Sequence, residues 1–153
     1  VRQASGKPVS SIDHLWSKLV IGTLLNTRRH PYASTTTSRR FEAGGSLDGI
    51  ETTRIVRSVA TIDATSGLVT DETTTTTEIG GGANAGSSVS LRTLHASVLN
   101  DTANWCLGRS QAVQITAGHT LPGGTPITRS ADQVWEGLKC RPTQIRLLPG
   151  DPK

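Results

Sequence analysis

Five consecutive threonines, Thr73 to Thr77 within "DETTTTTEI", restrict what this chain can fold into more than any other stretch. Threonine is β-branched and stiff at χ1, so the run disfavours helix and favours extended backbone. Successive strand side chains point to opposite faces, and here both faces receive the same methyl and hydroxyl. Neither face is marked for a dry core. The run therefore predicts a strand whose sheet is wet on at least one side, a wall rather than a tightly filled sandwich.

Related composition continues along the chain. After Gly22, Thr, Ser, Val and Arg dominate and strong helix formers are few. Strands are predicted at Arg54 to Ile62, Asp71 to Ile79, Ser88 to Leu99, Ala112 to Leu121 and Thr143 to Leu148. Turn signals separate them: "DATSG" at Asp63 to Gly67, "GGGANAG" at Gly80 to Gly86, and "PGGTP" at Pro122 to Pro126. The expected fold class is all-β, an antiparallel meander of strand-turn-strand units. Only "IDHLWSKLVIGTLL", Ile12 to Leu25, fits a second template. Ile12, Leu15, Trp16, Leu19 and Val20 recur at helical spacing, while as a strand the segment would set Ile12, His14, Trp16 and Lys18 on one face and Leu15, Ser17 and Leu19 on the other. Local pattern favours helix, the rest of the chain favours strand, and the segment stays open.

A length of 153 residues predicts one domain, which folding alone would let bury roughly two-thirds of its unfolded surface. Within it, residues 1–50 read as irregular strands or a short helix, 51–99 as hairpins, and 100–153 as strands marked by Trp and Cys. The apolar fraction of 34% omits 16 glycines, and with them it nears the ordinary globular range. Aromatics are scarce. Trp16, Trp105 and Trp135 are the large ones, each a candidate for packing or for binding.

The net charge of +4 is mild for a dedicated nucleic-acid binder, and no nucleic-acid partner is expected. The densest basic group, Arg28, Arg29, His30, Arg39 and Arg40, is either a solvated strand face or an anion-binding patch. No stretch reaches the eighteen or so apolar residues of a membrane span, and no N-terminal export signal is visible. The chain has no Met and opens on Val1, which reads as a cut from a longer polypeptide.

Cys106 and Cys140 form no CxxC motif and are too few for a metal cage, leaving a disulfide or two thiols. A bridge would close a loop of about 35 residues and stabilise by roughly 4 kcal/mol. The four histidines, His14, His30, His95 and His119, lack metal-site spacing, although His95 and His119 fall in predicted strands that can place them across a sheet. "GGGANA" fits a loose dinucleotide pattern, but a strand is expected after it where that site needs a helix. Asp71 and Glu72 point to opposite strand faces and do not converge. No nucleophilic-serine elbow occurs. The residues predict no catalytic site, no cofactor and no metal.

The stretch "NDTANWCLGR", Asn100 to Arg109, reads as a corner feeding a strand. Asn100, Asp101 and Asn104 are expected to fold onto neighbouring amides, Trp105 and Leu107 to cover an apolar patch, Gly108 to allow close approach or a bulge, and Arg109 to pair across the strand.

Several blocks carry a resemblance. "IDATSGLVTDETTTTTE" resembles the strand-turn-strand unit of YD-repeat proteins, with Ile62 where Tyr is usual, Asp63 as the Asp, and Gly67, Leu68, Val69 and Thr70 after it. "LNDTANWCLGR" followed by "QAVQIT" is similar to a segment of RHS-family proteins and of the related B components of insecticidal toxin complexes. "RRHPYASTTTSRRFE" and "GLKCRPTQIRLLPGD", in this block order, extend the likeness from Lys7 to Asp151. The resemblance implies a structural segment of a larger RHS-type β shell, part of a bacterial protein that is secreted or at the cell surface. Such shells enclose a variable, often toxic, C-terminal region. The implied partners are the rest of the parent polypeptide, that enclosed region, and other toxin-complex or secretion components. Two departures stand out. Tyr32 is followed by Ala33, so no Tyr-Asp pair occurs, and the family's self-cleavage motif is not recognisable, so neither cleavage nor toxin activity is implied for these residues.

Overall fold

The β-branched runs and their turns build one sheet. In the computed structural model, which describes residues 2, 6–22, 27–80, 83–120, 127–136 and 140–147, eight strands follow one another in chain order, each antiparallel to the next. They are β1 (Ser10–Ile21), β2 (Arg28–Phe41), β3 (Glu51–Ile62), β4 (Val69–Glu78), β5 (Ser88–Asp101), β6 (Cys106–His119), β7 (Ile127–Glu136) and β8 (Arg141–Leu147). A single 3₁₀ turn, Gly45–Leu47, interrupts the β2–β3 connection. The fold is all-β and an antiparallel meander. Among the described residues, no helix is long and apolar enough to cross a membrane.

The ambiguous N-terminal segment is a strand over its described part. β1 pairs with β2 from Ser10↔Arg40 to Ile21↔Arg28, and that ladder satisfies backbone groups which a lone helix here would have to satisfy without packing. Residues 23–25 of that segment, and the turn expected at Pro122 to Pro126, lie outside the described residues. Two strands carry little sequence signal. β2 mixes Arg, His, Pro and Thr, and β7 sets Arg, Ser, Asp and Gln among few apolar residues.

Register separates two faces that the threonine runs conceal. Residues directly opposite in an antiparallel pair share a face. Across mid-sheet, Thr37, Val56, Thr75, Ser90 and Gly118 form one row. The next row on that face is Thr35, Ser58, Thr73, Arg92, Thr116 and Thr128. Three guanidiniums on this hydroxyl-rich face are paired with carboxylates, Arg39 with Asp13, Arg54 with Glu51 and Arg92 with Asp71. The opposite face aligns Ile12, Ser38, Ile55, Thr76, Val89 and His119, then His14, Thr36, Arg57, Thr74, Leu91, Ala117 and Ile127. Val59, Ile115 and Val113 extend it. That face is the more apolar of the two, with Ile12, Ile55, Val89, Leu91, Ala117 and Ile127 interleaved with Ser, Thr and His side chains and with the Arg57–Glu72 pair.

Among the described residues, nothing covers this more apolar face. Ile12, Val89, Leu91, Ile115, Ile127 and Ile145 are all exposed, and Cys106 is the one buried hydrophobic residue described. The accessible surface is 10274 Å², whereas a folded monomer of this mass exposes about 7,400 Å². A sheet buries an apolar face only against a second layer, and here there is one layer.

Candidate functional site

The packing that does exist gathers where the β3–β4 and β5–β6 turns meet Cys140. Asp63 closes the first turn: its Oδ2 accepts from the Ser66 amide at 2.8 Å and the Ser66 hydroxyl at 2.6 Å. The same oxygen accepts from Asn100 Nδ2 at 2.9 Å, and Asn100 Oδ1 accepts from the Gly108 amide at 2.8 Å. One carboxylate thus ties the β3–β4 turn to β5, and one amide side chain ties β5 to β6. Partial burial pushes the Asp63 carboxyl up, but the donors from Ser66, Asn100 and the Thr65 amide outweigh it and hold the group below the ordinary aspartate value of 3.8.

Gly108 is required by this approach. Its φ of 70° lies in the left-handed region, and a Cβ there would meet Ser66 Cβ at 3.1 Å. Beside it Cys106 is joined to Cys140 by a disulfide, with their Cα atoms 5.4 Å apart. The bridge fastens the start of β6 to the start of β8, and Trp135 Nε1 donates to the Ser110 carbonyl at 2.8 Å to fasten β7. Register shifts cluster at this end too, at Val59 to Ile62, Leu99 to Asp101 and Val134 to Trp135. Bulges twist strands and re-aim side chains, and these three lie at the same end as the clasp formed by the Asp63–Asn100–Gly108 bonds and the disulfide.

The corner differs in part from its sequence reading. Asp101 does fold onto Asn104, accepting from its amide at 3.2 Å and its Nδ2 at 2.8 Å, and these bonds hold the Asp101 carboxyl below its usual value. Asn100 folds onto the Gly108 amide of its own hairpin and also reaches back to Asp63 in another. Arg109 stands opposite Leu99, is only 8% exposed, and its Nε has no partner among the described residues.

The candidate aromatics divide. Trp135 is half-buried and hydrogen-bonded. Trp16 is exposed on edge strand β1, its ring 6.0 Å from that of His14. Trp105 is 83% exposed at the β5–β6 turn, with a φ of 54°. It borders a hollow of about 220 Å³ with Leu107, Thr65, Thr102 and Arg28.

The basic group is not one patch. Arg28, Arg29 and His30 begin β2, while Arg39 and Arg40 lie near its other end, roughly 30 Å away at the usual strand rise. Arg39 is bound to Asp13. His95 and His119 do not meet either, because His95 pairs with Val113 and His119 with Val89, about 20 Å along the ladder. Asp71 and Glu72 bond Arg92 and Arg57 on opposite faces. A strand, β5, follows the glycine-rich loop. Among the described residues, no three His, Cys, Asp or Glu side chains converge to hold a metal ion.

The sequence announces Gly108 and the two cysteines as structural points. It hides the Asp63–Asn100 bond, which joins residues 37 positions apart. The one available signal is that Asp63 and Asn100 both stand where a strand meets a turn. No protein-family model matches this chain, nor does any curated protein or solved structure.

Proposed function

We propose that this chain is a non-enzymatic structural segment of a secreted, RHS-like or toxin-complex-like shell, whose sheet encloses or presents a partner polypeptide. The observation that carries the reading is that the described residues form no second layer. An eight-stranded sheet leaves its more apolar face exposed, and only one described hydrophobic residue is buried. About 2,900 Å² more surface is exposed than a closed domain of this mass leaves in water. Such a face is stable in water only when something covers it. The sheet's outer strands, β1 and β8, also leave one edge each unpaired among the described residues, and open edges invite further strands. The hydroxyl-rich face, with its ion pairs, suits water, so the apolar face is the side that meets the partner or the rest of the shell.

Sedimentation of the isolated chain, with circular dichroism and thermal unfolding on the same samples, tests this. Self-association that falls away when flanking sequence is restored is the expected result. A chain that stays monomeric at high concentration would overturn it.

A second reading, a β module that binds glycan or protein, is favoured by one observation, the exposure of Trp105 beside polar side chains.

A further inference from the structure

We infer that the hollow at the turn end is a binding site for a single acidic sugar, a hexuronate of the kind that terminates an anionic glycan. The inference stands apart from the shell reading, since the hollow lies on the turn end and not on the apolar face.

Trp105 has the highest exposure of any large apolar side chain described, and it adopts a left-handed backbone conformation that bulky residues avoid. Packing does not explain it. The neighbours that hold it there are rigid: Asp101 takes two hydrogen bonds from Asn104 on one side, and the bridged Cys106 is 2% exposed on the other. Strained residues held in place by their surroundings concentrate where a surface has work to do.

Three separate segments wall the hollow. Arg28 comes from the start of β2, Thr65 from the β3–β4 turn, and Thr102, Trp105 and Leu107 from the β5–β6 turn and the strand after it. The Asp63–Asn100–Gly108 bonds lock the last two segments together, so these walls are set before any ligand arrives. Among the described residues no carboxylate lies within ion-pair reach of Arg28, in contrast to Arg39, Arg54, Arg57 and Arg92, which each hold one.

The ligand class follows from these parts. An indole face accepts the apolar C–H face of a pyranose, because the ring's negative π surface meets weakly positive hydrogens. The threonines offer hydroxyls that both donate and accept, matching sugar hydroxyls. A guanidinium without a carboxylate selects an anion, and its planar fork matches a carboxylate. A volume near 220 Å³ falls below the usual drug-sized pocket of about 300–1,000 Å³, which points to one ring rather than an extended chain.

The test is a titration of the full chain, following the three indole N–H signals by nuclear magnetic resonance, with glucuronate, methyl glucuronoside, glucose and acetate as probes. Glucuronate is expected to move the Trp105 signal while those of Trp16 and Trp135 stay still. Glucose should bind roughly tenfold more weakly, acetate should leave Trp105 unmoved, and Arg28→Gln should bring glucuronate down to the level of glucose. Trp105→Ala should abolish binding with the unfolding transition unchanged, because its ring packs on little. Tighter binding of the methyl glycoside than of the free acid identifies a glycan terminus as the source, and the reverse identifies the free sugar acid; both uphold the class. A Trp105 signal unmoved by millimolar glucuronate would overturn the site. Equal response to acetate, or equal binding of glucose and glucuronate, would overturn the ligand class.

Discussion

At the turn end, Cys106 and Ser110 are buried, and hydrogen bonds run from the Asp63 carboxylate, which also holds the Ser66 hydroxyl of its own turn, through the Asn100 side-chain amide on β5 to the Gly108 backbone on β6. At mid-sheet, Leu91 and Ile115 sit diagonally across one ladder with their side chains in water. Both regions use the same strands, β5 and β6. One end is fastened by directional and covalent bonds that work inside a single layer. The middle has an apolar surface whose stabilisation is realised only when a second layer removes it from water. A chain built this way is fastened at one end and leaves its more apolar surface open along the rest.

The largest expected effect comes from cutting the covalent fastening. Cys106→Ser with Cys140→Ser opens a loop of 34 residues, which the chain-entropy estimate values at about 4 kcal/mol. Denaturant unfolding measures the total, and amide exchange locates it. Protection should fall first around residues 106–110 and 141–145, and least in β3 and β4. A uniform loss across the sheet would mean that the two regions are one cooperative unit, and the contrast between them would be lost.

Next comes the hydrogen-bonded fastening. Asn100→Ala removes one bond to a carboxylate and one to the Gly108 amide, a loss on the order of 2 kcal/mol. Gly108→Ala strikes the same joint from the other side, through its φ and the crowding against Ser66. Because the two changes share a contact, their effects should be less than additive in a double-mutant cycle. Full additivity would show that the turns are held independently.

Strands β3 to β6, most of the turns and the use of Gly108 are legible in the sequence, because β-branched runs and Gly or Asp punctuation act locally. The two faces are not. Thr73 to Thr77 look alike from both sides, and only the register, which sets Val89 and Leu91 opposite Thr76 and Thr74, tells the apolar side from the wet one. β1 is ambiguous for a related reason, since its apolar residues keep a helical period and fall on both faces of a strand, and only the ladder to β2 makes the segment extended. The clasp is hidden because its partners are distant in sequence. Trp105, which reads as cover for a patch, stands exposed because its turn directs it outward.

Acid offers a gentler way to loosen the clasp. Asp63 in the folded chain titrates below the ordinary value of 3.8, so it binds protons less readily than in the unfolded chain. Its contribution is therefore complete above that value and disappears as the pH falls through the folded pKa. Glu51, Asp71 and Asp101 are lowered as well, chiefly by bonds from Arg54, Arg92 and Asn104. The wild-type chain should lose stability below about pH 4, and Asp63→Asn should flatten that limb by under about 1 kcal/mol. Identical acid limbs in the two proteins would show that the carboxylate charge at Asp63 adds nothing to the joint.

The smallest effect on folding should come from the apolar face, and its smallness is what makes it informative. Leu91→Thr with Ile115→Thr replaces two exposed side chains by a residue that keeps strand preference while shedding apolar area. With no second layer among the described residues these side chains stabilise little, so the monomer's unfolding free energy should move by about 0.5 kcal/mol or less. Association should respond much more, because every contact with a covering partner runs through this surface. The matched control is Val56→Thr, on the hydroxyl-rich face in the row of Thr37 and Thr75. The double variant should sediment as a smaller species than wild type, and the control should not. If both variants sediment alike, the two faces are equivalent in water and the apolar face does not drive association. If the double variant unfolds with a loss of several kcal/mol, the face is already covered within the chain, and the sheet closes on itself instead of awaiting a partner.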